Sequence, residues 1–159
     1  MDKLLRLLKK NALESPKNLA KMLNTTEKRV KEKIARYEKQ GVIRGYQAIV
    51  NEDQLELELV RAVIEAKITP EREGGFDRIA SRVSKFPEVE SLFLMSGSYD
   101  LLIFVVGRNL REVASFVSAK LATISGVLST STHFMLKTYK DQGVLMEEEQ
   151  PHERLQVTP

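Results

Sequence analysis

The chain has no cysteine and only two histidines, His133 and His152, well apart in its 159 residues. Without thiols there are no disulfides and no thiolate metal sites, and two isolated imidazoles do not make a ligand cluster, so neither a metal centre nor a cofactor is expected. Long apolar runs are missing as well. No stretch approaches the roughly 20 apolar residues that span a bilayer, and the opening "MDKLLRLLKKNALES" carries charges every few residues instead of an unbroken apolar core. A cytoplasmic protein with no membrane partner is expected. What is present is a hydrophobic fraction of 42% and a charged fraction of 30%, enough to bury one core or two small ones.

The charge is unevenly placed. Residues 1–45 hold 13 Lys and Arg against 5 Asp and Glu, and the remainder holds 12 against 17, so a basic head of +8 precedes an acidic body of −5. A Lys-rich surface can serve solubility alone, but a basic segment joined to an acidic one suggests a nucleic-acid module carrying a second domain.

Three helical patterns follow one another in the head. "DKLLRLLKKN" puts Leu4, Leu5 and Leu8 on one face. "SPKNLAKML" starts with Ser15 as N-cap and Pro16 at the first helical position, and is expected to bury Leu19, Ala20, Met22 and Leu23. Asn24 tolerates the left-handed backbone of a tight turn, and Thr25 or Thr26 then caps a helix running to Gln40, with Val30, Ile34 and Tyr37 inward. Two helices joined by a short turn, the second strongly basic, read as a helix-turn-helix whose second helix enters the major groove of double-stranded DNA. Thr25, Thr26, Lys28, Arg29 and Lys31 are assigned to base edges or nearby phosphates, and Lys33, Arg36 and Arg44 mainly to phosphates. Such a protein would be nucleoid-associated.

After Gly41 the period changes. Val42, Ile43, Tyr46, Ala48 and Val50 read as an extended segment, and residues 46–58 as a linker strand. Beyond it, "RAVIEAKI" alternates, "GFDRIASRVSKF" has helical spacing, and "VESLFLMS" and "DLLIFVV" pair around Gly97 and Ser98. "NLREVASFVSAKLATISG" is a helix capped by Asn109, and "VLSTSTHFMLKTY" alternates again. The order βαββαβ over 59–141 is that of a ferredoxin-like domain with helices on one sheet face, so the fold class is α+β with a winged-helix-like head at 1–45. Ile103, Val105, Phe134 and Leu136 are expected to leave sheet surface apolar, which a second copy would cover in an isologous dimer. Residues 142–159, rich in Glu, read as an acidic, mobile tail.

"LAKMLNTTEKRVKEKIARYEKQGVIRGYQAIVN", "GSYDLLIFVVG" and "ISGVLSTSTHFMLKTYK", in this order, resemble the DNA-binding and regulatory halves of the Lrp/AsnC, or feast/famine, transcriptional regulators over roughly residues 1–141. The departures are Asn24 and Thr25 where the family often has Gly and an apolar residue, and Lys33 where it usually has Arg. The resemblance implies homodimers assembling further into tetramers, octamers or open rings, and a free amino acid bound between dimers. Carried over by position, Gly97, Ser98, Tyr99 and Asp100 form the pocket wall with Thr130 and Thr132 opposite. One carboxylate can pair with the effector's ammonium while turn N–H groups and hydroxyls take its carboxylate. Asp100 also has a plainer reading, as a turn residue that accepts from nearby backbone N–H groups between the two central strands.

No enzyme is expected. Ser98, Asp100 and His133 can be drawn as a triad, but no nucleophile elbow accompanies them. The resemblance extends to haem-biosynthesis decarboxylases of the same architecture, which rely on His and Arg around a tetrapyrrole; the intact basic head argues against that. A nucleoid-organising protein that wraps DNA without a chosen operator is the remaining alternative.

Overall fold

A computed structural model describes residues 1–55, 57–70 and 75–147. The chain divides into two compact units between Val50 and Asn51.

The first unit is three helices. In α1, Lys3–Lys10, the Asp2 side chain caps the N-terminus by accepting from Leu4 N at 2.9 Å. α2, Pro16–Met22, begins as its local chemistry dictates, with Ser15 Oγ accepting from Asn18 N at 3.1 Å and Pro16 in the first turn, where a missing N–H costs nothing. Asn24 takes φ of +54°, and Thr26, not Thr25, caps α3, Glu27–Lys39. Leu4, Leu8, Leu19, Ala20 and Val30 form the buried core, with Ile34, Tyr37 and Ile43 half-buried against it. Each fully buried Leu stabilises this small unit by about 1.5–3 kcal/mol. Met22 does not join them. It is 62% exposed, because in a helix of seven residues the inward stripe is already filled by Leu19 and Ala20.

The expected linker strand at 46–58 is absent: the described part of that segment contains a single 3-10 turn, Glu52–Gln54, and no ladder. Among the described residues its alternating apolar residues pair with no strand. The first unit accordingly contains no strand to serve as a wing.

The second unit builds a four-stranded antiparallel sheet in the order β2-β3-β1-β4 from β1, Val60–Ile68, β2, Val89–Leu94, β3, Leu101–Gly107, and β4, Val127–Phe134. Helix α4, Asp77–Val83, connects β1 to β2, and α5, Leu110–Ser115, continues as a π-helical run, Phe116–Leu121, before β4. This is the βαββαβ order, but the single α-helix expected at 109–126 changes its winding after Ser115, where the deeply buried side chains Phe116 and Leu121 are five residues apart. Ala62, Ile64, Ala66 and Ile68 of β1 and Leu101, Ile103 and Val105 of β3 pack against Ile79, Val83, Val113 and Phe116 from the helices. At Gly126, φ is +94° and a Cβ would lie 2.7 Å from Ile79 Cδ1, so glycine alone lets the chain enter β4 under α4.

The uncovered face differs from expectation. Ile103 and Val105 lie beneath the helices; the residues paired with the opposite parity, Val63, Leu102, Phe104, Val106 and Phe93, make the apolar half of the open face. Phe93 and Phe104 meet edge to face at 6.1 Å between centroids, and Phe93 remains 51% exposed. Phe134 pairs with Ala62 and belongs to the helix side, and Leu136 lies beyond the strand, 96% exposed. The hairpin of β2 and β3 joins an edge strand to a central one, not two central strands.

The tail does not begin at 142. Lys140–Asp141 and Val144–Leu145 form a hairpin, β5 and β6, around Gln142 and Gly143, whose φ values of +43° and +92° are those of a two-residue primed turn. Lys137 pairs with Glu147, and Asn51 Nδ2 donates to the Met146 carbonyl at 2.6 Å. The reading of 148–159 as mobile lies outside the described residues, as does His152.

Candidate nucleic-acid interface and effector turn

Thirteen residues of α3 make a rod of about 20 Å, a length that can lie in a major groove about 12 Å wide. Val30, Ile34 and Tyr37 hold it to the core, which turns Lys28, Lys31, Ala35 and Lys39 toward solvent with Arg29 and Arg36 on one flank. Thr26 Oγ1 accepts from Arg29 N at 3.4 Å, so this hydroxyl works as a cap at the helix start. Thr25, half-buried, sits beside it in the turn. Lys28 has no ion pair among the described residues. Lys31 meets Glu27 at 2.6 Å, one turn back, in a pair whose members are 62% and 45% exposed. That ammonium holds the Glu27 carboxyl below the usual carboxylate value. Water screens such a pair heavily, and a phosphate can replace the partner.

Lys33 is not placed as expected. Its Nζ hydrogen-bonds Asp2 Oδ2 at 2.8 Å and stands 5.9 Å from the Tyr37 ring centroid, so it braces α3 against the start of α1 instead of facing outward. The ammonium pulls the Asp2 carboxyl below its ordinary value, and the carboxylate raises Lys33 in turn. Arg36 lies 5.9 Å from the same ring. Arg44 is exposed and folds over Gly41: at φ of +68°, a Cβ on Gly41 would stand 3.0 Å from the guanidinium carbon. Neither the Lys33 brace nor this fold-back follows from local spacing.

In the second unit, Met95 N donates to the Asp100 carbonyl at 2.8 Å and Asp100 N to the Ala66 carbonyl at 3.0 Å, closing the turn that holds Gly97, Ser98 and Tyr99. Asp100 then does something the turn alone does not require. Its Oδ2 accepts from Ile68 N at 2.8 Å, standing where the next strand carbonyl would be and adding one rung to the β1–β3 ladder. The side chain thus accepts from a backbone N–H as the plainer reading has it, but from Ile68 on β1, 32 positions away, and not from the residues of its own turn. Gly97 and Ser98 are exposed at the tip and Tyr99 is half-buried.

Thr130 and Thr132 pair with Ala66 and Ile64, so they flank β1 on the side away from the turn and point with those residues toward the helix-covered face. The backbones of Asp100 and Thr130 are two strand spacings, about 10 Å, apart. A single chain does not bring the two sets together as one pocket. The drawn triad fails as well. His133 Nε2 lies 3.3 Å from Ser131 Oγ and 3.6 Å from Glu65 Oε1 on the open sheet face, while Asp100 is engaged by Ile68.

Comparison with known proteins agrees with both halves. The sequence pattern described as the Lrp/AsnC ligand binding domain matches residues 61–145, and that of a winged helix-turn-helix DNA-binding domain matches residues 3–44. An uncharacterized HTH-type transcriptional regulator of Bacillus subtilis, YugG, is 41% identical over 98% of this chain and 95% of its own length. The HTH-type transcriptional regulator LysM of Saccharolobus solfataricus is 30% identical over 86% of this chain and 92% of its own. Among solved structures, a transcriptional regulator of Neisseria meningitidis, crystallised as its L-Met complex, superimposes with a TM-score of 0.68 at 24% identity, over 89% of this chain and 93% of that one.

Proposed function

This chain belongs to the Lrp/AsnC family of helix-turn-helix transcriptional regulators, and from that premise we propose that it recognises a pseudo-palindromic operator and adjusts its binding to a free amino acid. It is a regulator and not an enzyme. The observation that carries the operator reading is α3 itself: a capped, core-anchored helix whose outward surface and flank present Lys28, Lys31, Lys39, Arg29 and Arg36. One such head makes few phosphate contacts and binds weakly at physiological salt; two heads tethered in a dimer gain from effective concentration. The open sheet face supports that dimer. Val63, Leu102, Phe104 and Val106, half-buried, and Phe93, exposed, form an apolar area that a second copy covers isologously.

The amino-acid reading is supported by the match to a ligand-binding domain and by the chemistry of the turn, where Asp100 retains a second carboxylate oxygen beside the exposed Ser98. Thr130 and Thr132 complete such a site from a neighbouring dimer, since their own chain holds them away from the turn. The genes controlled are the regulator's own or those of amino-acid metabolism, in a cytoplasmic, nucleoid-associated setting. A gel-shift titration of the chain's own upstream region against random duplex, repeated with each amino acid, tests both parts. Selective binding that one amino acid strengthens or weakens is the expected result. Equal affinity for random duplex refutes the operator, and indifference to all amino acids refutes the effector.

A further inference from the structure

Between the start of α1 and the first two turns of α3 lies a cleft of about 360 Å³, lined by Lys3, Thr25, Arg29, Asp2 and Lys33 over an apolar floor that includes Leu4 and Val30. Its charges are not equivalent. Asp2 and Lys33 are closed on each other at 2.8 Å, which neutralises the carboxylate and fixes one end of the cleft. Lys3 and Arg29 have no ion pair among the described residues, and the Thr25 hydroxyl has no hydrogen-bond partner among them. Two cations from different helices and a neutral donor therefore line one depression with nothing anionic left to answer them.

We propose that this cleft seats one backbone phosphate of duplex DNA, with Lys3 and Arg29 as its cationic sides and Thr25 as a hydroxyl donor. The inference rests on the DNA-binding reading and extends it to α1, which the recognition-helix argument leaves out. Thr25 and Arg29 sit at the end of α3 that enters the groove first, so a phosphate held there fixes the depth and register of the helix while carrying no sequence information itself. The buried floor, with Leu4 and Val30 1% and 2% exposed, thins the water on one side of the anion. A charge pair there interacts more strongly than one on an open surface. Arg29 is thereby assigned to the backbone instead of to a base edge.

The test measures affinity of the full chain for a short labelled duplex over a range of salt concentrations, for the unchanged protein and for Lys3→Gln, Lys3→Arg and Lys9→Gln. Lys9 is exposed in the last turn of α1, outside the cleft. For Lys3→Gln the slope of log affinity against log salt is expected to fall by about 1 for each head engaged. Ethylation interference is expected to lose one phosphate position per half-site, while Lys3→Arg and Lys9→Gln keep both. Because Lys3 has no ion pair, the melting temperature stays put and serves as the folding control. If Lys3→Gln matches Lys9→Gln in slope and interference, the cleft is not a phosphate seat although DNA binding stands. Salt-independent binding, or none, by the unchanged protein overturns the DNA reading along with it.

Discussion

Replacing Asp100 separates a structural rung from a ligand contact, because alanine and asparagine remove different things. The Ile68 amide is the group at stake: Ile68 is 3% exposed, and its N–H donates to Asp100 Oδ2 at 2.8 Å. Asp100→Ala leaves that donor buried without an acceptor, at a cost of about 1–3 kcal/mol, with a charged acceptor toward the upper end. Asp100→Asn keeps a carbonyl oxygen in the same place and forfeits only the charge, costing less than about 1 kcal/mol. For a unit of this size each kcal/mol moves the melting temperature by about 4–8 °C. The alanine variant should therefore melt about 4–24 °C lower and the asparagine variant within about 8 °C of the unchanged protein. Circular dichroism at a fixed protein concentration reads this directly, since assembly would otherwise shift the transition. Calorimetric titration with the proposed amino-acid effector supplies the other arm: Asp100→Asn, still folded, should lose the heat of binding, because its amide cannot answer an ammonium as a carboxylate does. Asp100→Ala melting like the unchanged protein, or Asp100→Asn falling as far as alanine, refutes the rung. Full effector binding by Asp100→Asn refutes the ammonium partner.

The Lys33 ammonium holds the Asp2 carboxyl below its ordinary 3.8, so the charge of Asp2 stabilises the first unit above that pH and the benefit disappears as pH falls through the lower folded value. Urea midpoints measured at about pH 6 and about pH 3 should differ less for Asp2→Asn than for the unchanged protein, and equal differences would mean that the pair is not formed in solution. Asp2→Ala removes the N-cap of α1 as well, which is worth about 0.5–2 kcal/mol by chemical denaturation. Gly126→Ala should destabilise the second unit by about 1–3 kcal/mol, since its Cβ meets Ile79 Cδ1 at 2.7 Å on a backbone at φ of +94°; an unaltered thermal melt would show that Ile79 yields freely. Phe104→Lys places a charge in the apolar half of the open sheet face and should shift the mass measured by light scattering to that of a monomer, and an unchanged mass would locate the self-contact elsewhere.

The features legible in the sequence are those set within a few residues of themselves. Ser15 with Pro16, Asn24 before its cap, and Gly41 after α3 each satisfy a local demand, and the helix-turn-helix is built from them. The order of strands and helices in the second unit is legible for the same reason. The faces of β3 are not, because "LLIFVV" is apolar at both parities and only the helices decide which side they cover. The π-helical run hides in spacing that still fits a helix, although a five-residue step from Phe116 to Leu121 is the one hint of it. The β5–β6 hairpin is masked by the charges around it, and its turn uses Gln142 where Asn would have announced it. At the site, Lys33 to Asp2 and Asp100 to Ile68 close over 31 and 32 positions, a range at which periodicity says nothing.

The rung between Asp100 and Ile68 also makes the protein its own indicator. An amide proton that donates to a carboxylate responds in resonance position to the electron density on that acceptor, and a cation approaching the free oxygen withdraws some of it. The Ile68 signal in a nitrogen–proton spectrum thus registers what arrives at the turn without a dye or a tag, from inside a strand where solvent exchange is slow. Its movement dates the arrival of a ligand charge at one chain, apart from whatever the assembly then does with it.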